Sequence, residues 1–411
     1  MANTLNLGNG DWATKENSLL GDKSENGNYK PLPFDFTRAS SATVVNKSGL
    51  IETAANGVPR IDFLGNTSGA LLLEPQSTNI LTNSENGSTY TVFSATKTLD
   101  EVISPDGTLN SFTLEGNGDY NQVLGETVSV TLPNAGDYTF SVFAKKGTNN
   151  FIQLFFNQFS GSSNGEAYFD LENGTTPSSF GKIENYGNGW YRCSVIGTVI
   201  GSDLNGKFGF RISYNSSNFF FPTANDANGK NAYFYGFQLE EQSYATSYIP
   251  TEGSTVTRNQ DVCTNGGSLA SINSTEGTLY AEISALADDG TFRSIALSDG
   301  TINNRIIIFY SDVLSEFRAI IAYNGIFQTI INTNINVTDT NKIALKYRLN
   351  DVALWINGVE ISVGNSATMP LGLNRLSFDR GDGANNFFGN TKDLQYYPKA
   401  LSDAELIKLT T

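Results

Sequence analysis

Apolar and polar positions alternate along most of this chain. Over residues 342–349, Ile343, Leu345, Tyr347 and Leu349 fall on one side, and Lys342, Ala344, Lys346 and Arg348 on the other. That two-residue period is the mark of a half-buried antiparallel strand. Residues 352–363 read as a hairpin closed by Asn357-Gly358, pairing Ile356 with Val359, Trp355 with Glu360 and Leu354 with Ile361. Asn-Gly occurs thirteen times. Both residues tolerate positive φ, so each copy marks a candidate two-residue hairpin turn. A helical pattern is convincing only over residues 401–409, where Ser402 and Glu405 have capping-box spacing and Leu406 and Leu409 form an apolar stripe. The expected fold is all-β: two tandem antiparallel β-sandwich (jelly-roll) domains preceded by an irregular N-terminal segment. There is no fixed-period repeat to suggest a β-helix, and no heptad run to suggest a coiled coil.

Composition removes several chemistries. The 411 residues include no histidine, which excludes Ser-His-Asp and Cys-His nucleophile systems and His-ligated zinc. Two cysteines, Cys193 and Cys263, cannot build a disulfide framework and read as buried free thiols. With 41 acidic and 26 basic side chains the net charge is −15, which argues against nucleic acid or an anionic membrane as partner. No apolar run is long enough to span a bilayer, so no membrane insertion is expected. The first residues lack a basic stretch followed by an apolar one, and do not read as a secretory signal.

Three stretches carry resemblances. Residues 34–45 (FDFTRASSATVV), 49–54 (GLIETA), 58–63 (VPRIDF) and 71–84 (LLLEPQSTNILTNS) resemble a segment recurring in tailed-phage structural proteins. Residues 138–147 (YTFSVFAKKG), 189–193 (GWYRC) and 232–251 (AYFYGFQLEEQSYATSYIPT), with 254–258 (STVTR) as exit linker, resemble the carbohydrate-binding-module-like jelly roll that follows it. Residues 277–283 (GTLYAEI), 354–359 (LWINGV) and 389–406 (GNTKDLQYYPKALSDAEL) resemble a laminin-G or concanavalin A-like sandwich. The implied division is 1–80 as a virion attachment or packing segment, 81–258 as the first sandwich and 259–411 as the second. What the resemblance implies is a virion fibre, spike or decoration protein, made in the host cytoplasm without a signal peptide. Its expected partners are other virion proteins, host or environmental glycans, and further copies of itself, a trimer by family expectation.

Sugar binding asks for an exposed aromatic face with amide or carboxylate neighbours. Trp355 lies opposite the Val352, Leu354 and Ile356 face, beside Glu360. It reads either as a stacking platform or as a side chain covered by a neighbouring domain or subunit. Tyr214 and the run Phe219, Phe220 and Phe221 sit near loops, and three consecutive Phe cannot all face one core. Trp190 reads as core. Calcium is the cofactor for which hard oxygen ligands exist: Asp379, Asp382 and Asn385 share one glycine-rich loop, which reads equally as a polar turn. Residues 225–229 (NDANG) carry a weaker form of that signal. Residues 380–382 spell Arg-Gly-Asp, a match too short to use.

Catalysis is not expected. A His-free glycan hydrolase needs two carboxylates, and the adjacent Glu240 and Glu241 would point to opposite faces of a strand. The reading is adhesion by weak multivalent binding. The alternatives are a glycan-degrading spike with paired carboxylates, and a purely structural decoration protein.

Overall fold

The computed structural model describes residues 5–10, 12–20, 34–85, 87–157, 159, 165–201, 204–364 and 367–411. Among the described residues strands account for nearly all of the regular structure, and the helices there are Ala224–Ala227, a 3-10 turn at Gly87–Thr89 and Asp403–Thr410. The chain divides into two compact units.

One unit comprises Ala42–Thr53 and Gln76–Arg258. Its six-stranded antiparallel sheet runs in the order Ala95–Leu99, Phe112–Gly116, Asn231–Glu240, Gly136–Lys146, Trp190–Val199, Gly181–Asn185. A four-stranded sheet runs Val123–Thr131, Asn205–Ser213, Phe151–Asn157, Glu166–Asp170. Phe140, Phe208, Phe210, Phe234 and Phe237 from both sheets fill one core. Ring centroids of Phe140 and Phe208, one from each sheet, are 4.7 Å apart. This is a β-sandwich.

The other unit comprises Met1–Ser41, Ala54–Pro75 and Asn259–Thr411. Its large sheet runs Val359–Gly364, Val352–Ile356, Asn341–Arg348, Glu276–Ala285, Gly389–Tyr397, Ala70–Leu73, Arg60–Asp62, with Leu5–Gly8 also paired to Gly389–Tyr397. A five-stranded sheet runs Ile326–Asn334, Glu316–Tyr323, Arg305–Tyr310, Arg293–Ser298, Arg375–Ser377. Leu279, Ile295, Ile308, Leu345 and Leu354 pack in a common core.

Residues 1–80, expected as a segment of their own, are shared between the units. Leu5, Leu7, Phe34, Phe36, Leu71 and Leu73 belong to the core of the unit that holds the C-terminal sandwich. Their strands are too short to sustain a visible period, but Leu5–Gly8 and Ala70–Leu73 pair with Gly389–Tyr397, and Phe34–Thr37 pairs with Val262–Thr264. The resemblance motifs supply the polar lock. Arg38 donates to Asp261 (3.0 Å), and Arg60 donates to Asp261 (2.5 Å) and Glu74 (2.6 Å), all four side chains being buried. Burial pulls the Arg60 pKa down, but the charges of Asp261 and Glu74 outweigh it and hold the guanidinium above its ordinary value. In the other unit, the Asn79 side chain donates to the carbonyls of Phe237 and Ile249 and accepts from the amides of Leu81 and Leu239.

The hairpin turn forms as read at some Asn-Gly pairs and not at others: Asn205-Gly206 lies inside the strand Asn205–Ser213, and residues 26–27, 86 and 164 lie outside those described. Asn324-Gly325 and Asn357-Gly358 have φ of 49° and 78°, and 49° and 81°, the type I′ combination. Ile356 pairs with Val359 and Trp355 with Glu360, but a bulge then pairs Leu354 with Ser362 rather than Ile361. The extra residue lets Ile361 pack against the core. Leu349 is exposed, because the strand ends at Arg348 and the chain turns at Asn350 with φ of 55°.

Candidate functional site

In the four-stranded sheet, Ile152, Leu154 and Phe156 face the core from one strand, and Phe208, Phe210 and Ile212 from its neighbour. The period of two sends Gln153, Phe155, Lys207 and Arg211 to the outer face. Register sets Arg211 across from Gln153, Gln153 across from Tyr168, and Phe155 across from Glu166.

The loop after Ser213 returns over this face. The Arg211 guanidinium carbon lies 3.7 Å from the ring centroid of Phe219 and 4.1 Å from that of Phe155. Two aromatic rings therefore flank one cation. Phe219 is in contact with Phe220, centroids 4.2 Å apart. Phe220 is 44% exposed, so the site has an aromatic side chain open to solvent at its rim, while Tyr214, also exposed, packs on the core residue Phe221.

Beneath this rim the polar groups are incompletely satisfied. Gln153 is fully buried and donates to Glu166 at 2.9 Å, while its Oε1 has no partner. Arg211 Nε is also buried without a partner, and among the described residues no oxygen accepts from its guanidinium. Burial lowers the Arg211 pKa to about 10, against the opposing pull of Tyr168 and Glu166. The side chain therefore stays charged at neutral pH. Buried polar groups are normally paired, so a row of unpaired ones beside exposed aromatics has the character of a binding surface. At the start of Asn205–Ser213, where it pairs with the end of Val123–Thr131, a shallow depression of about 290 Å³ is lined by Ser129, Thr131, Asn205 and Lys207.

Of the residues singled out in sequence, Phe219 and Phe220 fall at this face, and the others fall elsewhere. Trp355 does pair with Glu360 but is only 6% exposed. It packs with Tyr280, Tyr397, Leu401 and Leu406, under the helix Asp403–Thr410. The cover is the chain's own capped helix, and Trp355 offers no free face for stacking. The glycine-rich loop does not assemble a calcium ligand set. Asp379 accepts from the backbone of Gly381 at 2.5 Å, Asp382 is held by Arg380 at 2.7 Å, and the Asn385 carbonyl accepts from Ser294. Among the described residues no three Asp, Glu, Cys or His side chains gather as a metal site. Asp226 in the weaker 225–229 loop is held by Thr223. Glu240 is buried and accepts from Ser77, Gln238 and Thr246, while Glu241 lies outside and accepts from Asn134. Trp190 is core, donating to the Ile103 carbonyl. Both cysteines are buried and free.

Two features escaped the sequence reading. Arg211 was readable in principle, since the alternation Phe208, Phe210, Ile212 leaves it on the other face. In 151–156 (FIQLFF) the single polar residue Gln153 is too little to show a period, and the outward turn of Phe155 stayed hidden. The second feature is a carboxylate pair on the outer face of the large sheet. Glu282 and Asp393 stand directly opposite on adjacent strands. Burial, then the charge of Glu282, raises the Asp393 pKa to about 6 against the pull of Gln395.

The fold is thus an all-β assembly of jelly-roll-type sandwiches. No family model matches the chain, and no curated protein is similar to it. Among solved structures it is similar to the CBM40 of Ruminococcus gnavus IT-sialidase bound to α2,3 sialyllactose, with 18% identity over 34% of this chain and 84% of that one, TM-score 0.29. It is also similar to domains LG4-5 of the mouse laminin α1 chain, with 10% identity over 70% and 90%, TM-score 0.24. A third is Trypanosoma rangeli sialidase in complex with the inhibitor DANA, with 10% identity over 73% and 60%, TM-score 0.28. These are likenesses of fold, and what those proteins bind or cleave belongs to them.

Proposed function

We propose that this protein is a glycan-binding adhesin and that the outer face of the four-stranded sheet is its binding surface. The observation that carries the reading is Arg211, in contact with the rings of Phe155 and Phe219 and lacking a protein acceptor among the described residues. Exposed Phe220 supplies an apolar face for the C–H side of a sugar ring, and Arg211 and the exposed Glu166 supply directional hydrogen bonds. A shallow site of this kind binds weakly, and several copies on one particle raise avidity without new contacts. The motif residues shared with tailed-phage structural proteins support a place on a virion as fibre, spike or decoration subunit, in an oligomer. A glycan array with purified wild type, Arg211→Ala and Phe219→Ala tests the reading. Binding that either substitution lowers supports it. No binding at any multivalent density, or binding indifferent to both substitutions, overturns the assignment of this face.

A second reading, cleavage of the bound glycan, is favoured by Glu282 and Asp393. A pair of neighbouring carboxylates with one raised pKa is what acid–base glycoside hydrolysis uses. Release of reducing ends from array-positive glycans, lost in Glu282→Gln and Asp393→Asn, would favour turnover over adhesion. Unchanged glycans after prolonged incubation would exclude it.

A further inference from the structure

We infer that the sugar unit seated at Arg211 is anionic, carrying a carboxylate or a sulfate, and that Arg211 is what selects it. The inference rests on the adhesion reading and specifies its ligand class.

Three observations converge. The first is the missing counter-ion. Arg38 and Arg60, buried in the other unit, are matched by Asp261 and Glu74, as Arg293 is by Asp289. Arg211 makes no ion pair among the described residues. The nearby carboxylate, Glu166, is taken by Gln153. In a chain of net charge −15, acidic partners are abundant, so an uncompensated, half-buried cation is conspicuous. A charge removed from water without a partner is costly, and an anionic ligand would supply the partner.

The second observation is geometric. The Phe219 and Phe155 ring centroids lie 3.7 and 4.1 Å from the guanidinium carbon; contacts this close are made over the flat of the group, and a ligand that meets it through hydrogen bonds uses its N–H edge. Edge-on, the planar fork matches a carboxylate or sulfate with two parallel hydrogen bonds. Gln153, directly across the ladder, is fully buried and donates to Glu166, so it holds that carboxylate away from Arg211 and leaves the cation to a ligand. The third observation is a second cation. Lys207 lies on the same face of the same strand, four residues from Arg211 and so about 13 Å away. It borders the 290 Å³ depression and has no ion pair among the described residues. Two cations on one line suit an extended acidic oligosaccharide better than an isolated acidic monosaccharide.

The test is an array in which each acidic glycan is printed beside its carboxyl-reduced or desulfated form, probed with wild type, Arg211→Gln, Arg211→Lys, Lys207→Gln and Phe219→Ala. Melting curves confirm that each variant is folded. Wild type should bind acidic members at least tenfold better than their neutralised partners. Arg211→Gln should erase that preference, and Arg211→Lys should retain part of it. Lys207→Gln should flatten the salt dependence, and Phe219→Ala should weaken binding while keeping the preference for acid. Equal binding of acidic and neutralised forms by wild type overturns the inference and leaves the adhesion reading standing. Absence of binding to every glycan removes both.

Discussion

Arg60 donates from Nη2 to Asp261 Oδ2 at 2.5 Å, joining two fully buried side chains 201 positions apart in sequence. Asp261 also accepts from Arg38 at 3.0 Å and from the Glu74 amide at 2.9 Å. Its removal takes the shared carboxylate from two buried guanidinium groups, leaving Arg60 with Glu74 and Arg38 with backbone carbonyls. Asp261→Ala is therefore expected to destabilise its unit by about 3–5 kcal/mol, the usual result of breaking a buried pair from one side. Asp261→Asn should lose less, since an amide oxygen still accepts. Denaturant unfolding measures both, and an unchanged midpoint in Asp261→Ala would show that the network holds nothing together.

Asp393 makes stability depend on pH. It faces Glu282 across one strand pair and Gly8 across the other, with Gln395 donating to it at 2.7 Å and Lys342 opposite Glu282. Its folded pKa of about 6 lies above the ordinary 3.8, so the native state disfavours the ionised form. The penalty is absent below about pH 4, grows between about pH 4 and 6 and is complete above that, at about 3 kcal/mol. Asp393→Asn should accordingly be more stable than wild type at neutral pH, with the difference fading under acid. Paired thermal melts across that range decide it, and a difference that does not vary with pH would refute the assignment.

How much of this was readable beforehand differs by element. The hairpin at Asn357-Gly358 and the helix capped by Ser402 and Glu405 could be placed because their signals are local: positive-φ residues in one case, a capping box in the other. The burial of Trp355 could not, since the helix that covers it begins 48 positions later and the strand pattern alone says only that Trp355 faces away from the core. Arg38, Arg60 and Glu74 stood inside quoted motifs, yet their shared partner Asp261 is visible only when the chain is folded. The binding face was half legible. Three successive Phe residues implied that one would be exposed, but the cation beneath Phe219 depends on a loop crossing a strand, which no spacing rule encodes.

The helix Asp403–Thr410 should act as a lid on Trp355. Leu406 is fully buried against Trp355, Tyr280 and Tyr397. Leu406→Ala removes that contact, with an expected cost of about 2–5 kcal/mol and a rise in acrylamide quenching of tryptophan fluorescence. With only three tryptophans in the chain, and Trp190 buried in the other unit, the change is resolvable. Glycan binding at Arg211 should be unaffected. Binding lost in this variant, with the protein still folded, would move the site back to the Trp355 sheet.

The loop 379–386 makes the opposite kind of prediction, an insensitivity. Asp379 is buried, and burial and the charge of Asp382 raise its pKa despite hydrogen bonds from the Gly381 and Gly383 backbone. Asp382 is drawn to Arg380, which lowers its pKa. A calcium ion would have to displace both sets of protein donors and separate an ion pair before gaining its 6 to 8 oxygens. EDTA and added calcium are therefore expected to leave the melting temperature and glycan binding unchanged. The comparison is sensitive, because calcium at a hundredfold its Kd would stabilise a true site by about 2.7 kcal/mol. A calcium-dependent rise in melting temperature that disappears in Asp379→Asn would overturn this expectation and restore the loop as a metal site.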